Sequence, residues 1–137
     1  MPSTNGTIFP GLRYVDMNSA VDWLCNVLGF ERKLVVPGPD GNFIHAQLQL
    51  GSGLVFLGPD NENEFGIHVK PPKLINGMNS QAAYIYIEDI EGHYEFAKKQ
   101  GADILVHLRE EEYGGKFYMC KDPEGHIWSF GSYDPFS

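Results

Sequence analysis

The sequence predicts an α+β fold built from two tandem βαβββ modules, because a strand, a helix and three further strands occur twice in the same order. The first observation is a pair of amphipathic stripes with apolar residues at i, i+3, i+4 and i+7. The stripes are Val21, Leu24, Cys25 and Leu28, then Ile90, His93, Tyr94 and Ala97. The second observation is matching cap and turn residues: Asp16 precedes Asp89 by 73 positions, and three later landmarks precede their counterparts by 74. Those landmarks are Gly41, Phe43 and Gly51, which match Gly115, Phe117 and Gly125.

The composition limits the class of partner. The formal net charge of −8 at pH 7, without a run of basic residues, argues against nucleic acid and anionic membrane surfaces. No apolar run is long enough to cross a bilayer, and the N-terminal segment lacks the pattern of a signal peptide, so we expect a cytoplasmic protein. The two cysteines, Cys25 and Cys120, lie in apolar-patterned segments and are expected to be buried thiols rather than a disulfide or a metal site.

The first module is predicted over about residues 7–57 and begins with a strand from Thr7 to Val15. Asp16 is suited to cap the helix that follows, and Gly29 is suited to end it in the left-handed conformation. Three strands complete the module. They are predicted at residues 30–36, 42–50 and 54–57, with glycine- and proline-rich turns between them.

Residues 58–81 form a connector rich in Gly, Pro, Asn and Glu, which we interpret as a linker that can act as a lid. The second module, over about residues 82–133, repeats the pattern. It has a strand at 82–87, a helix capped by Asp89 and ended near Gly101, and strands at 102–107, 116–121 and 127–130. One domain over residues 1–137 accommodates both modules.

The segment Asp122–Tyr133, DPEGHIWSFGSY, is the most distinctive part of the chain. Its Asp-Pro-Glu-Gly start is typical of a tight turn, and the following Ile-Trp-Ser-Phe run alternates between two faces of a strand. Together with LRYVDMNSAVDWLCNVLGFE at residues 12–31 and YIEDIEGHYEFAKKQGADIL at residues 86–105, it resembles the vicinal oxygen chelate superfamily of glyoxalase I, bleomycin-resistance proteins and extradiol dioxygenases. The resemblance is strongest to the small bacterial glyoxalase-like branch. It implies a cup-shaped mixed sheet with the helices on its convex side and the ligand on its concave side.

Metal-dependent members of that superfamily use up to four inward His, Gln or Glu side chains, from the first and last strand of each module. By register, the resemblance places Phe9, Val55, Ala82 and Ser129 at those positions. None of these is an ordinary metal ligand, whereas a metal site needs about three protein donors. We therefore predict no metal site and no cofactor, which argues against glyoxalase I and dioxygenase chemistry. A register shifted by one residue would bring in Pro10, Phe56, Ala83 and Phe130, which offer no donor either.

The same register predicts which side chains line the concave face, and an aromatic pocket with a few polar groups is typical of a small-molecule site. The predicted ligand-binding residues are Phe9, Arg13, Phe43, His45, Gln47, Tyr84, Tyr86, Tyr113, Phe117, Met119 and Ser129. Val55 is placed on this face too. The side chains expected to pack beneath the helices include Leu54, Phe56, Trp128 and Phe130.

His45 is the candidate catalytic residue, because a neutral imidazole on the polar face of a strand can hydrogen-bond a ligand or act as a base. A histidine bonded only to a neighbouring strand or to water is the alternative. Among the other histidines, His93 is expected to pack in the core and His126 to be exposed after its turn glycine. Arg13 is suited either to an anionic ligand group or to an ordinary ion pair.

Three hypotheses for function remain open. The first is metal-independent binding that sequesters a planar or aromatic ligand, as in bleomycin resistance, and so confers antibiotic resistance. The second is a glyoxalase-like lyase or isomerase that uses His45 as a base or a nonstandard metal site. The third is a protein that binds no small molecule and instead contacts a protein partner, with its cup filled by its own side chains. The resemblance also implies a homodimer, since some superfamily members build each cup from modules of two chains.

Overall fold

In the computed structural model, which describes residues 2–137, the order β-α-β-β-β occurs twice. The elements are β1 (Gly11–Tyr14), α1 (Met17–Leu28), β2 (Glu31–Pro37), β3 (Phe43–Leu50), β4 (Gly53–Pro59), β5 (Ala83–Tyr86), α2 (Ile90–Lys99), β6 (Asp103–Glu110), β7 (Lys116–Lys121) and β8 (Ile127–Gly131). A 3₁₀ turn at Pro72–Leu74 lies between the modules. The predicted α+β class with two βαβββ modules is confirmed. Within residues 2–137, no helix is both long and apolar enough to span a membrane.

Each module forms its own four-stranded mixed sheet. The strand orders are β1-β4-β3-β2 and β5-β8-β7-β6. The pairs β1–β4 and β5–β8 are parallel, and the other pairs are antiparallel. A parallel pair needs a long connection, which the helix and two intervening strands provide. The first strand of each module therefore lies at a sheet edge, beside the last strand.

Both helices begin at the predicted caps. The Asp16 side chain accepts hydrogen bonds from the backbone nitrogen and the hydroxyl of Ser19, at 3.1 and 2.8 Å. Asp89 accepts one from the Gly92 nitrogen at 3.1 Å. Gly29 ends α1 with a φ of 85°, a left-handed conformation that costs glycine little. These local interactions set the helix ends, and they are the interactions that the sequence pattern indicates.

One hydrophobic core is shared by the two modules. It contains the apolar stripe of each helix and the facing side chains of both sheets, among them Leu48, Leu57, Trp128 and Phe130. Helix α1 packs against α2, and the Phe30 ring meets the Trp128 ring edge-on at 5.5 Å. The helices thus cover one face of each sheet, as expected for the convex side. The opposite faces are left open, and we call them the open faces.

The Asp-Pro-Glu-Gly turn between β7 and β8 joins the second module to the end of β1. The buried Asp122 carboxylate accepts hydrogen bonds from the Tyr14 hydroxyl at 2.6 Å and from the Trp128 indole N–H at 3.0 Å. Glu124 accepts hydrogen bonds from the two backbone nitrogens that follow β1, at 2.6 and 2.8 Å. Hydrogen bonds to a charged acceptor contribute about 1.5–3 kcal/mol each, so this turn stabilises the packing of one module on the other.

His126 follows this turn and is half-buried, so the prediction that it is exposed is wrong. Its Nε2 donates to the Arg13 carbonyl oxygen at 2.8 Å, and its ring lies 4.7 Å from the Tyr14 ring. The turn residues indicate the local backbone correctly. The contact that buries His126 comes from β1, more than a hundred positions away in the sequence. His93 packs in the core region as expected.

The predicted offset of 74 between the modules is wrong for the last strand. Gly11 pairs with Phe56 in the first module, and Tyr84 pairs with Ser129 in the second. Strands β1 and β4 therefore precede β5 and β8 by the same 73 residues. Phe56, rather than Val55, is thus the counterpart of Ser129.

Candidate functional site

The open face of the first module carries an aromatic cluster. The Phe9 ring stacks on the Phe56 ring at 5.6 Å between centroids, and the His45 ring is tilted beside Phe56 at 5.7 Å. Phe9 is 46% exposed and Phe56 is 36% exposed, so ring surface is free for a ligand. Gln47 pairs with Phe56 across β3 and β4, which places the Gln47 amide on the same face. The face therefore combines an aromatic surface with two polar side chains.

The position of Phe56 corrects the prediction for β4. The sequence pattern predicts Val55 on the open face and Phe56 beneath the helices, and the structure has the reverse. Val55 pairs with the buried Leu48 and is itself buried. Neighbouring residues of a strand point to opposite faces, so the one-residue error in the module offset exchanged the two faces. By the same alternation, Leu54 lies on the open-face side.

The expected placement of Phe43 on the open face is also corrected. The pairing of β2 with β3 is irregular between His45, which lies opposite Val36, and Phe43, which lies opposite Pro37. Such an irregularity interrupts the alternation of faces along a strand. The Phe43 ring packs against the core instead, 5.7 Å from the Arg32 guanidinium carbon. Strict alternation from His45 could not have revealed this change of side.

His45 has a hydrogen-bond partner on its own strand. The Gln47 side-chain nitrogen donates to His45 Nε2 at 3.1 Å, since an amide nitrogen has no lone pair to accept with. The imidazole proton then resides on Nδ1. With this tautomer, His45 offers a ligand a hydrogen-bond donor. A role as general base would first require Gln47 to give up the Nε2 lone pair.

Arg13 lies on the open-face side of β1 and is held against the sheet. Its guanidinium donates to the Pro59 carbonyl oxygen at 3.3 Å and lies directly over Gly58, where any Cβ would clash with it. Among residues 2–137, no carboxylate forms an ion pair with Arg13. Its charge is therefore available to an anionic or strongly accepting ligand group.

The open face of the second module brings together five of the predicted residues. Ser129 of β8 pairs with Tyr84 of β5 and with Met119 of β7, so these three side chains share a face. Alternation along β5 and β7 adds Tyr86 and Phe117. Ser129 is buried on the inner strand β8, whereas the two tyrosines are 38% and 44% exposed. The tyrosine rings therefore form the accessible part of this face.

Tyr84 is held in place by two contacts. Its hydroxyl donates to the Tyr133 carbonyl oxygen at 2.7 Å, and its ring lies so close over Gly131 that a Cβ there would come within 2.5 Å of the hydroxyl oxygen. Tyr113, in the β6–β7 loop, reaches the same end of the face, with its ring 5.1 Å from the Tyr133 ring. Tyr133 is a residue that the sequence analysis missed, although it closes the distinctive Asp122–Tyr133 segment.

Strand pairing does not join the two open faces within one chain. In residues 2–137, β1 pairs only with β4 and β5 pairs only with β8, so each of these edge strands keeps one free side. Each open face lies on the far side of its own sheet from the shared core. Strand pairing in residues 2–137 therefore gives two separate open faces rather than one closed barrel.

With the corrected register, the four positions that the resemblance assigns to metal ligands carry Phe9, Phe56, Ala82 and Ser129. Three of these side chains are hydrocarbon, and the fourth is a buried hydroxyl. This donor set does not fit a divalent metal. Elsewhere in residues 2–137, no group of three or more His, Cys, Asp or Glu side chains is close enough to hold a metal ion.

A cavity of about 410 Å³ lies between the modules, beside the two edge strands. Residues 10–12, the starts of β5 and β8, and connector residues that include His68 and Lys70 line it. The connector is fastened at this place, because the Asn79 amide nitrogen donates to the Gly125 carbonyl at 2.9 Å and its amide oxygen accepts from the Ile127 nitrogen at 3.2 Å. The segment interpreted as a linker therefore forms one wall of a cavity. Only the packing of distant segments creates it, so no local sequence signal indicates it.

A family model described as the glyoxalase/bleomycin resistance protein/dioxygenase superfamily matches residues 8–130. Among curated proteins, the chain is 29% identical over 122 residues to an uncharacterized protein of Mycobacterium bovis and to one of Mycobacterium tuberculosis. Those alignments cover 89% of this chain and 80% and 71% of the two mycobacterial proteins.

Solved structures with the same fold include TioX from Micromonospora sp. ML1, at a TM-score of 0.71 and 29% identity over 92% of this chain and 98% of that one. The fosfomycin resistance protein FosX from Listeria monocytogenes, complexed with Mn(II), has a TM-score of 0.67 and 12% identity, with 97% and 94% of the two chains covered. Lactoylglutathione lyase from Agrobacterium tumefaciens has a TM-score of 0.68 and 15% identity, with 94% of each chain covered. The last two likenesses concern the fold alone.

Proposed function

Because this chain belongs to the glyoxalase/bleomycin resistance protein/dioxygenase superfamily, we propose that it binds a planar aromatic small molecule on its open faces without using a metal ion. The observation that carries the proposal is the exposed pair Phe9 and Phe56, with His45 beside it, where the metal positions offer no ligand. Covering exposed rings with a planar ligand removes apolar surface from water and adds favourable stacking geometry.

The polar groups around the aromatic cluster define what else the ligand needs. His45 offers its Nδ1 proton, and Arg13 offers a guanidinium that has no carboxylate partner in residues 2–137. Both groups favour a ligand that carries a hydrogen-bond acceptor on or near its ring system. Sequestration of such an antibiotic or metabolite by a cytoplasmic homodimer is the role that this chemistry supports.

The test is a titration with acridine, a planar heteroaromatic compound with one ring acceptor, followed by fluorescence polarisation. We expect saturable binding that is unchanged by EDTA. Phe56→Ala removes the central ring of the cluster and should weaken binding about tenfold, since a well-placed aromatic contact contributes about 1–3 kcal/mol.

Ile44→Ala is the matched control, because Ile44 is exposed on the same strand as His45 but outside the aromatic cluster. Its affinity for acridine should equal that of the wild type. Equal losses in both variants, or the absence of saturable binding, would contradict the proposed face. Binding that depends on an added divalent metal would contradict metal independence.

The second candidate is a glyoxalase-like lyase or isomerase that uses His45 as a base. It is favoured by the position of His45 on an open face, beside the Phe56 ring. Against it, the hydrogen bond from the Gln47 amide occupies the lone pair on Nε2 that a base needs. The exposed rings of both faces likewise argue against a cup filled by its own side chains.

A further inference from the structure

The cavity between the edge strands β1 and β5 has a volume of about 410 Å³, and we call it the inter-module cavity. Ligand sites in proteins commonly have volumes of about 300–1,000 Å³. Both modules and the connector contribute apolar side chains to its walls. These include Leu12, Ile75, Met78, Ala83 and Trp128. The cavity can therefore hold a part of a small molecule that loses water on entry.

The edge of β1 directs backbone groups toward this cavity. The Phe56 nitrogen donates to the Pro10 carbonyl at 2.9 Å, so Pro10 turns its carbonyl to β4. Backbone groups alternate between the two sides of a strand, and Gly11 and Arg13 therefore turn theirs away from β4. The Arg13 carbonyl accepts from His126 Nε2 on that side, at 2.8 Å. Gly11 lines the cavity, so its N–H and C=O are offered to an occupant.

The edge of β5 supplies the facing row of backbone groups. The Ile87 nitrogen donates to the Gly131 carbonyl at 2.8 Å, which turns Ile87 to β8. By alternation, Ala82 and Tyr84 turn their N–H and C=O groups to the opposite side, toward β1. A chain of amide groups that enters between the two edges can exchange hydrogen bonds with both, as an added strand does.

The cavity offers no free charge to its occupant. Among its lining residues in the described chain, Lys70 is the only lysine, arginine, aspartate or glutamate. Its ammonium group is bound to the carboxylates of Asp60 and Glu62, each at 3.0 Å. The exposed Ser80 and Gln81 add a hydroxyl and an amide, which are neutral. A neutral polar chain therefore suits this cavity better than an ionic group.

The cavity opens beside the aromatic pair of the first open face. Gly11 pairs with Phe56 across β1 and β4, and Phe9 lies two residues before Gly11. A Cβ at Gly11 would meet no heavy atom within 4 Å. The absent side chain thus leaves a path from the rings of Phe9 and Phe56 into the cavity.

The connector wall of the cavity is fixed before a ligand binds. The Asn79 amide is bonded to both Gly125 and Ile127, and the Lys73 nitrogen donates to the Glu124 carbonyl at 3.0 Å. A preformed wall reduces the loss of conformational entropy on binding.

We propose that the inter-module cavity binds an uncharged, amide-bearing chain of the ligand whose aromatic rings lie on Phe9 and Phe56. The proposal rests on the proposed function, because the cavity opens at the aromatic pair. It narrows the ligand to a planar aromatic molecule with an amide chain of about two residues in length.

The experiment compares three probes with the same ring system in mildly alkaline buffer, where acridine is uncharged. They are acridine-9-carboxamide, its N-hexyl derivative, and acridine-9-carbonyl-alanyl-alanine amide. We expect the wild type to bind the dipeptide probe about tenfold more tightly than the short carboxamide, because one or two hydrogen bonds and apolar burial are added. The hexyl chain has a similar length but lacks the further amides, so its gain should be about threefold or less.

Variants test whether the cavity holds the chain. Gly11→Val suits a strand and fills the path, so the dipeptide advantage should fall to within twofold. The advantage is a ratio of two affinities, so an effect on ring binding alone cancels. Gly6→Val is the matched control, because a Cβ at Gly6 also meets no heavy atom within 4 Å and Gly6 does not line the cavity. It should keep the tenfold advantage.

Asn79→Ala tests the opposite wall and replaces Gly11→Val as the test if that variant does not fold. It removes both hydrogen bonds that fasten the connector and should reduce the advantage to about threefold or less.

The outcomes distinguish the cavity from the proposed function. Equal affinity of the wild type for the short and dipeptide probes, or an advantage unchanged in folded Gly11→Val, would overturn the cavity proposal and leave the proposed function standing. An equal gain from the hexyl chain would contradict recognition of amides. If the wild type binds neither acridine nor any of the three probes, the proposed function fails and the cavity proposal fails with it.

Discussion

At the scale of single residues, the hydrogen bond of the His45 ring distinguishes a binding role from a catalytic one. Its Nε2 accepts a hydrogen bond from the Gln47 amide, which leaves the Nδ1 proton as the group that meets a ligand. A donor of this kind strengthens binding to an acceptor atom. A base would instead need a free lone pair aimed at the substrate. The two candidate functions therefore predict different losses when the imidazole is removed.

We expect His45→Ala to weaken acridine binding by about three- to tenfold, the usual effect of losing one hydrogen bond and one ring contact. We also expect the wild type to show no turnover of the hemithioacetal of methylglyoxal and glutathione. Wild-type turnover of that compound, lost by orders of magnitude in His45→Ala, would instead favour the lyase or isomerase.

The alternation of side chains along a strand predicts their faces only where the strand pairing is regular. Alternation placed the side chains of Tyr84, Met119 and Ser129 on one face, and the strand pairing agrees. It misplaced Phe43, because the β2–β3 pairing is irregular at that point. Alternation describes an unbroken strand, and a bulge depends on the partner strand as well as on the residues themselves.

At the scale of elements, His93 connects α2 to its neighbours. Its Nε2 donates to the Leu28 carbonyl at the end of α1, at 2.8 Å, and its Nδ1 accepts from the Tyr118 hydroxyl of β7, at 2.7 Å. Burial lowers the pKa of His93, because the charged imidazolium would lose its hydration. The unfolded chain keeps the ordinary pKa of about 6.5 and so binds a proton that the folded protein does not. Stability should therefore fall as the pH drops below about 6.5.

We expect His93→Gln to lower the free energy of unfolding by about 1–2 kcal/mol above neutral pH, because both hydrogen bonds are imperfectly replaced. The difference from the wild type should narrow as the pH falls below about 6.5, since glutamine does not titrate. Urea unfolding curves at several pH values provide the measurement. His68→Gln, at an exposed connector residue, is the matched histidine control and should unfold like the wild type. A constant difference for His93→Gln would show that its titration does not influence stability.

The elements themselves were largely predictable. The caps Asp16 and Asp89 and the left-handed Gly29 mark the helix ends, and those signals act within one turn. The number of residues that separates equivalent positions of the two modules was predicted less well. It is 73 between β4 and β8 but 72 between β3 and β7. In those two strands, Gln47 and Met119 are equivalent, because they pair with Phe56 and Ser129. Turns of different length absorb the change, and turn length does not show in the strand pattern.

At the scale of the whole molecule, the two open faces belong to separate sheets whose other sides share one core. Among the described residues, 2–137, no second strand pairs with either edge strand, β1 or β5, which leaves backbone groups available for pairing with another chain. In a homodimer, the first module of one chain could face the second module of its partner. The open faces of those two modules would then meet around one ligand, and each face would supply one half-site. We therefore expect sedimentation at micromolar concentration to give the mass of two chains.

Mixed dimers test whether the site is shared. Phe56→Ala impairs the first half-site and Tyr86→Ala the second, so each variant alone should bind acridine about tenfold more weakly. When the two variants are refolded together in equal amounts, about half of the dimers should contain one chain of each variant. Each mixed dimer has one site built from two intact half-sites and one site built from two impaired ones. About a quarter of all sites should therefore regain wild-type affinity. No recovery in a preparation shown to contain mixed dimers would place each site within a single chain.

The sequence by itself determined the fold class, the order of the elements and the helix caps. These features follow from local periodicity, from turn chemistry and from the identity of side chains. Only the tertiary structure decided that Phe56 rather than Val55 faces the ligand side, that Phe43 turns to the core, and that Tyr113 and Tyr133 meet. The physical reason is that strand register and the meeting of loops depend on contacts between distant segments, and no local pattern specifies which residues those contacts bring together.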